Sequence, residues 1–491
     1  MPGLIDAHVH VEFSERFPLH DQPELSAAQL RQEMAERALR MLRSGITTAR
    51  DLGGRNYAAL GLRDAIRKGE CLGPRLLCAG QPLTVPRGHC HQWGGEAGSL
   101  EEALAVVDRQ VENRVDWIKV MATGGMRTPG TNVEEAAFSV HDLKEVVARA
   151  TAKSLAVAAH AHGAQGVVHA VQAGCRTVEH CTWIAKAGQW GCVDASTVEA
   201  MARQGIAVAP TAHANWRSKP MGHRNYTRMC SALQQLRAAG IQLLASSDAG
   251  AIPGLPHDAL HAGIQVLAEM ARMTPVEALK AATSASAAVL GLEAECGRLI
   301  PRLSADFLVV AGNPTEDLGA LGRPALVVVE GRRVEPLAPP PPWPKVARQS
   351  RVKKFIYVSA IMANGKNLGD EVTESDVYKN WNNFGSVLEK KLAAEEYIKK
   401  SGLDYTIIRP VPMSNDFPRD VGGIYFAKPD SLRLRDSDVG KKISRDDVGL
   451  AVLDAIFNPK ASRGTFELVG VAGAPPTPRD QWWEVKDGQK A

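Results

Sequence analysis

The chain has 491 residues, 45% of them hydrophobic and 23% charged, so it can bury a sizeable core and exceeds one ordinary domain. A formal net charge of +4 is small for this length and predicts no nucleic-acid surface, and no apolar run approaches the roughly 20 residues of a membrane span. Eight scattered cysteines with no Cys-x-x-Cys pair, and no secretory leader pattern at the N-terminus, predict reduced thiols in a cytoplasmic protein.

In chain order, short apolar or β-branched runs predict strands at Leu4–Ala7, Thr47–Asp51, Arg75–Ala79, Trp117–Met121, Leu155–Ala159, Arg176–Glu179, Ala207–Pro210 and Gln242–Ser246. Between them lie amphipathic helical patterns at Ala27–Ser44, Leu100–Asn113, His141–Lys153, Gly166–Ala173, Ala195–Arg203 and Tyr226–Ala239. Eight strands alternating with helices predict a parallel sheet, and eight such units close naturally into a (β/α)₈ barrel. A doubly wound open sheet is the rival. The barrel is preferred because residues able to do chemistry follow the first, fourth, fifth, sixth and eighth strands, whose ends would form one ring.

Those residues are His8 and His10, Lys119, His160, His180 and Asp248. His8 and His10, two apart on a strand, face the same side and can bind one ion together, although an isolated His-x-His is as often a satisfied pair. Lys119 lies among Ile118, Val120 and Met121, where an ammonium is costly. A neutral amine there could react with carbon dioxide to give a carbamate able to bridge two cations; alternatively, Lys119 pairs with Asp116. His160 and His180 belong on adjacent strands, and Asp248 follows the eighth strand, beside the first in a closed barrel. Together they predict two divalent ions that lower the pKa of a shared water to roughly 7, with Asp248 taking its proton and passing it to a leaving nitrogen.

Residues 1–337 resemble the amidohydrolase superfamily, in particular its imidazolonepropionase-like and prolidase-like members with a carbamylated lysine. The stretches that carry the resemblance are Pro2-Gly-Leu-Ile-Asp-Ala-His-Val-His10, Gly45-Ile-Thr-Thr-Ala-Arg-Asp-Leu-Gly53, Gly73-Pro-Arg-Leu, Ile118-Lys-Val-Met-Ala-Thr-Gly-Gly125, Val157-Ala-Ala-His-Ala-His-Gly163, Val178-Glu-His180 and Ser247-Asp-Ala-Gly250. Thr274-Pro-Val-Glu-Ala-Leu-Lys-Ala-Ala-Thr283 and Ala305-Asp-Phe-Leu-Val-Val310 match further on. The resemblance implies that His8, His10, Lys119, His160, His180 and Asp248 are metal ligands, with Asp248 also the proton shuttle. The metal would be two zinc ions, or manganese, iron or cobalt. His89 resembles the histidine of a Gly-Gly-His-Gly turn after the third strand; His162 and His257 are further candidates for substrate contact. Such relatives build half of a β-sandwich before the first barrel strand. The chain starts at Met1-Pro-Gly-Leu, so that half is expected to be missing and the returning strands Phe307–Val310 and Ala325–Val334 to have unpaired edges. Arg302 stands where the turn Pro301-Arg-Leu-Ser-Ala-Asp306 would have glycine.

The composition changes at Pro336-Leu-Ala-Pro-Pro-Pro-Pro-Trp-Pro344. All 14 histidines and all eight cysteines precede residue 300; residues 1–337 hold seven lysines and 27 arginines, residues 338–491 hold 15 and nine. This marks a fusion of segments of different origin across an extended spacer. Beyond it, a strand at Lys354–Ala360, a helix at Ser386–Lys400, a strand at Tyr405–Pro410 and a helix opening at Ile443–Gly449 resemble the C-terminal half of an atypical short-chain dehydrogenase or NAD(P)H-binding protein. Ser359 and Lys391 match that family's serine and lysine, but Val387 stands at its tyrosine, and the chain has no Gly-x-Gly-x-x-Gly to receive a pyrophosphate.

The expected organisation is a barrel over 1–299, a β-sandwich remnant over 300–335, a linker over 336–348, a partial Rossmann-like segment over 349–475 and a tail over 476–491. The expected activity is metal-dependent cleavage of an amide-type C–N bond in a dipeptide or N-acyl amino acid, by a homo-oligomer with no nucleic-acid or membrane partner. The rivals are an NAD(P)-dependent reductase built on residues 350–470 and a fused, truncated product without activity.

Overall fold

The computed structural model describes residues 1–336 continuously, and beyond them 354–360, 362–363, 387–411, 413–414, 422–427, 443–472, 478 and 481–483. Most of the proline-rich spacer and of the C-terminal tail lie outside the described residues. The chain divides into two compact units, Met1–Leu337 and Ala338–Ala491.

In the first unit, β1 (Leu4–Val9), β2 (Ile46–Asp51) and β3 (Arg75–Cys78) form a parallel sheet in that order. β4 (Trp117–Met121), β5 (Ala156–Gly163), β6 (Thr177–Ile184) and β7 (Ala207–Ala209) form a second parallel sheet, again in chain order. Helices cross between successive strands, and sequence-local signals set their ends. Ser26 caps Ala27–Arg43 with a full capping box, Ser99 and Ser139 cap Leu100–Glu112 and Val140–Thr151, and Gly174 and Gly205 end Ala164–Ala173 and Ala195–Gln204 in the left-handed conformation. The strands and the inward stripes of these helices share one apolar core that includes Leu4, Ile46, Val120, Val178, Val208 and Leu267.

Isolated parallel bridges join the two sheets: Leu83 with Val120, Val208 with Leu243, and Val9 with Ala249. The strand expected at Gln242–Ser246 is reduced to such bridges. Leu244 donates to Val208 O and Ala7 donates to Ala245 O, but the Ala245 amide turns to Ala281 O at 3.0 Å, so no continuous ladder forms. β5 and β6 run four or five residues further than their apolar runs indicated, and therefore carry His160, His162 and His180 inside the strands.

The returning segments form an antiparallel sheet with β9 (Pro324–Val329) between β8 (Phe307–Val310) and β10 (Arg332–Val334). The edge of β8, expected to be unpaired, meets the N-terminal residues: Pro2 bridges Phe307, and Leu308 N donates to Met1 O at 3.0 Å. Arg302 has φ 75°, the conformation that glycine adopts freely and that costs other residues roughly 1–2 kcal/mol.

In the second unit, β11 (Phe355–Val358), β12 (Tyr405–Pro410), β13 (Met413–Ser414), β14 (Gly422–Ala427), β15 (Ile443–Ser444) and β16 (Gly464–Ala472) are described. The main sheet has the order β11-β12-β16-β14, parallel except for β14, with helices Val387–Lys400 and Arg445–Phe457. Arg409 on β12 is buried between Glu395, which it grips through two bonds of 2.9 and 2.7 Å, and Glu467 on β16. The Lys391 amine donates to the main-chain carbonyls of Val358 and Ser359, at 3.3 and 3.2 Å.

Candidate metal centre

Two groups of donors converge at the carboxyl ends of the parallel strands: His8, His10 and Asp248, and His160, His162 and His180. In the first group, β1 presents both imidazoles on one face, and the loop after Leu243 brings Asp248 beside them through hydrogen bonds from Asp248 N to His8 O and from His10 N to Ala249 O, both 2.8 Å. His10 Nδ1 lies 2.7 Å from Gly53 O, which can only accept, so Nδ1 carries the proton and Nε2 has the lone pair. His8 Nδ1 lies 2.8 Å from the Glu179 carboxylate, so the same assignment holds there. The two Nε2 atoms are 3.3 Å apart, and Asp248 Oδ1 is 3.4 Å from each. Three acceptors thus face one another with no proton between them. A cation is the natural complement of that arrangement.

Buried charges reinforce it. Burial pulls His8 down to about 4. Burial pushes the Asp248 carboxyl up, but His8, His10 and Lys119 around it hold it well below the usual carboxylate range. Asp248 has φ 58° and His180 φ 63°, left-handed conformations that non-glycine residues keep only where the surroundings impose them. Gly250, at φ 95°, approaches so closely that a Cβ would stand 2.1 Å from His10 O.

In the second group, His162 Nδ1 lies 2.9 Å from Thr182 Oγ1, whose own proton goes to His162 O, so Nδ1 donates and Nε2 is free. His180 Nδ1 lies 2.9 Å from Thr211 Oγ1, and His160 Nε2 lies 3.1 Å from Gly124 O. Burial holds His160 and His180 well below the ordinary imidazole value and brings His162 to about 4, so all three rings are neutral donors. Sequence reasoning had put His162 at the margin, whereas its ring centroid is 4.7 Å from that of His160 and 4.6 Å from that of His180.

Lys119 on β4 acts electrostatically on both groups. Its side chain is 2% exposed, and its Nζ has no hydrogen-bond partner among the described residues. Asp116, the partner the sequence left open, is engaged by Arg63, Arg67 and the Cys78 amide. Burial lowers the Lys119 amine to about 8 despite Glu179 and Asp248. An orphaned, easily neutralised amine beside clustered imidazoles fits a carbamylated lysine, and the whole donor set of nitrogen and carboxylate oxygen fits zinc or a similar divalent ion.

The remaining sequence candidates differ. His89 is buried, with its ring 4.5 Å from His160 and its Nδ1 2.7 Å from Thr128 Oγ1. His257 is fully buried behind the first group and donates from Nε2 to His10 O at 3.1 Å, so it braces the His10 backbone and has no solvent-accessible face toward a substrate. Sequence reasoning missed Glu179, Arg50, Thr211 and His213. His213 is buried on the loop after β7, feels the charges of Asp248 and Arg127, and is drawn by burial to about 4. The available signals were weak: Glu179 and His180 are adjacent on a strand, and simple alternation sends them to opposite faces.

Residues 344–459 match the NAD(P)H-binding family model. The described residues do not fit a dinucleotide, because the Lys391 amine is committed to two carbonyls and the chain lacks the glycine-rich turn; no redox step is assigned to them.

The first unit is similar to the ochratoxinase of Aspergillus niger, 28% identical over 368 residues that cover 67% of this chain and 73% of the relative. The crystal structure of that ochratoxinase superposes with a TM-score of 0.59 at 25% identity, covering 68% of this chain and 83% of the other. A prolidase complexed with N-methylphosphonate-L-proline gives a TM-score of 0.57 at 26% identity, with 68% and 86% covered. A Xaa-Pro dipeptidase with bound methionine shares the fold, with a TM-score of 0.61 at 24% identity over the same shares. The amidohydrolase family model matches residues 1–334, and the chain belongs to the amidohydrolase family, as a hydrolase of amide-type C–N bonds.

Proposed function

We propose that this chain is a metal-dependent hydrolase of dipeptides or N-acyl amino acids. The observation that carries the reading is the convergence of His8 Nε2, His10 Nε2 and Asp248 Oδ1 within 3.4 Å, each aiming a lone pair or negative charge at the same point. His8, His10 and Asp248 would hold one divalent ion, His160, His162 and His180 would supply the second site, and Lys119, as its carbamate, would bridge the two. When bound, the ions supply Lewis acidity, which polarises the scissile carbonyl and makes water a nucleophile at neutral pH.

The rest falls to the protein. Asp248 is kept ionised by its neighbours, so it can accept the proton of the attacking water and hold it until the leaving nitrogen takes it. Neutral imidazoles, maintained by burial, leave their lone pairs free for coordination. His89 and His213 stand within reach of the two groups as candidate contacts for the substrate's polar ends. The bridges linking Leu83, just past β3, to β4, β7 to Leu243 and Ala249 to β1 support reading the two sheets as arcs of one (β/α)₈ barrel, which would bring all these residues onto one rim. The prolidase and Xaa-Pro dipeptidase likenesses favour the dipeptide class. The test is hydrolysis of a panel of dipeptides and N-acyl amino acids by the full chain with zinc, manganese or cobalt added. Release of free amino acid that a chelator abolishes is expected; no turnover of any member with any metal would overturn the proposal.

A further inference from the structure

A carboxylate outside both donor groups contacts one of the donors. Glu179 is fully buried, as is Arg50. Glu179 Oε1 accepts from Arg50 Nη2 at 2.9 Å and from Thr177 Oγ1 at 2.5 Å, while Oε2 meets His8 Nδ1 at 2.8 Å. Arg50 is itself fixed: Nε donates to Ala7 O at 2.8 Å, Nη1 donates to Thr177 Oγ1 at 3.1 Å, and the guanidinium lies 4.5 Å from the centre of the Trp117 ring. The chain of contacts thus runs from Trp117 on β4 through Arg50 on β2 and Glu179 on β6 to His8 on β1.

We infer that Glu179, oriented by Arg50 and Thr177, is a positioning residue that fixes the His8 tautomer and so keeps the His8 Nε2 lone pair aimed at the metal position. The role is specific to His8. The Nδ1 proton of His10 goes to the main-chain carbonyl of Gly53, which no side-chain substitution removes. Of the two histidines in the first group, His8 is the one whose Nδ1 partner is a replaceable side chain. The inference deepens the proposed metal centre and rests on that reading for one of its two readouts.

The geometry makes an unusual demand of the isosteric variant Glu179→Gln. The Oε1 position faces the Arg50 guanidinium, which can only donate, and the Thr177 hydroxyl, which donates to it, so an amide NH₂ there would oppose the Arg50 N–H and the amide oxygen must take that place. The amide NH₂ is then turned toward His8 Nδ1. An NH₂ can only donate, so His8 must become an acceptor at Nδ1 and move its proton to Nε2, into the donor group. Glu179→Ala removes the bond without enforcing the wrong tautomer. For metal binding, the conservative variant is therefore the more damaging one. A purely structural role predicts the opposite order.

The experiment uses the full chain labelled with ¹⁵N-histidine, the His8 signals being assigned by their loss in His8→Gln. In the metal-stripped protein, long-range ¹H–¹⁵N correlation is expected to show His8 protonated at Nδ1 in the parent and at Nε2 in Glu179→Gln. Competition against a chelator is expected to show zinc bound about 10–100-fold more weakly by Glu179→Gln than by the parent, with Glu179→Ala between them. An unchanged His8 tautomer in Glu179→Gln, or a Gln variant that binds zinc more tightly than the Ala variant, overturns the inference. If Glu179→Ala does not fold, the tautomer in Glu179→Gln decides alone. A parent that binds no zinc refutes the proposed function, while the tautomer still tests the role of Glu179.

Discussion

Replacing Lys119 by methionine should make the metal-free protein more stable. The Lys119 amine is buried without a hydrogen-bond partner among the described residues, and burial lowers it from 10.5 to about 8. At neutral pH the folded protein must hold an ammonium that the unfolded chain would solvate. A depression of that size corresponds to about 3 kcal/mol, comparable with the roughly 1–3 kcal/mol cost of a buried polar group left unsatisfied. These are two views of one penalty, so Lys119→Met should gain about 1–3 kcal/mol, since methionine fills a similar volume with no polar atom to satisfy. The sign with pH follows. The penalty is present in full below pH 8 and fades as pH rises through 8 toward 10.5, because the folded protein then holds the amine neutral. The assay is denaturant unfolding of chelator-treated parent and variant at pH 7 and pH 9, with the stability gap narrowing at the higher pH. With metal and carbon dioxide present the proposed centre predicts the reverse order, since the variant would have no amine to form the carbamate. A metal-free Lys119→Met protein that is less stable than the parent would refute the reasoning, because it would mean that the amine has a favourable partner.

Asp248→Asn should lower kcat by about 10²–10⁴-fold while retaining much of the metal, measured by steady-state kinetics with metal analysis of the same preparation. Metal-free protein should lose stability as pH falls from 6.5 toward 4, because burial holds His8, His162 and His213 near 4 and the unfolded chain takes up protons that the folded one refuses. Asp6, raised to about 7 by burial, favours folding at low pH and opposes this trend, but each group changes stability by about 1.4 kcal/mol per pH unit, so two such histidines already outweigh it. Thermal melts across that range check the sign. Gly250→Ala should destabilise the first unit and weaken metal binding, because its Cβ would collide with His10 O; circular dichroism melts and chelator competition report the two effects. Arg409→Met should cost the second unit about 3–5 kcal/mol by removing the buried cation that Glu395 accepts from through two bonds, read from limited proteolysis of that unit.

Legibility in the sequence followed the range of the forces involved. The strand at Trp117–Met121 and the helices starting after Ser26 and Ser99 lie where local pattern and capping residues put them, because both signals act over a few residues. The segment after Gln242 looked like a further strand by composition, but tertiary competition for the Ala245 amide reduced it to single bridges. In the second unit, β11 and β12 were visible as β-branched runs, whereas β14 and β16, rich in glycine, were not.

The site divided in the same way. His8 and His10 were readable because a strand's two-residue period puts both on one face. The place of His162 beside His160 and His180 was not, since the apolar run ends at Ala159 whereas β5 continues to Gly163 with a register irregularity between Ala161 and Gly163, and β6 carries left-handed residues at His180 and Cys181. Such backbone reversals abolish the alternation on which facing is judged. Glu179 and Arg50 were hidden for another reason: their partners lie 171 and 129 residues away in the chain, and no local pattern records a contact across the interior.

The most direct test is a crystal structure of the zinc-loaded protein with anomalous data at the zinc edge. A peak is expected roughly 2.0–2.2 Å from His8 Nε2, His10 Nε2 and an Asp248 carboxylate oxygen. Ordered crystals with zinc bound elsewhere, and those three atoms still facing one another without an ion, would contradict it.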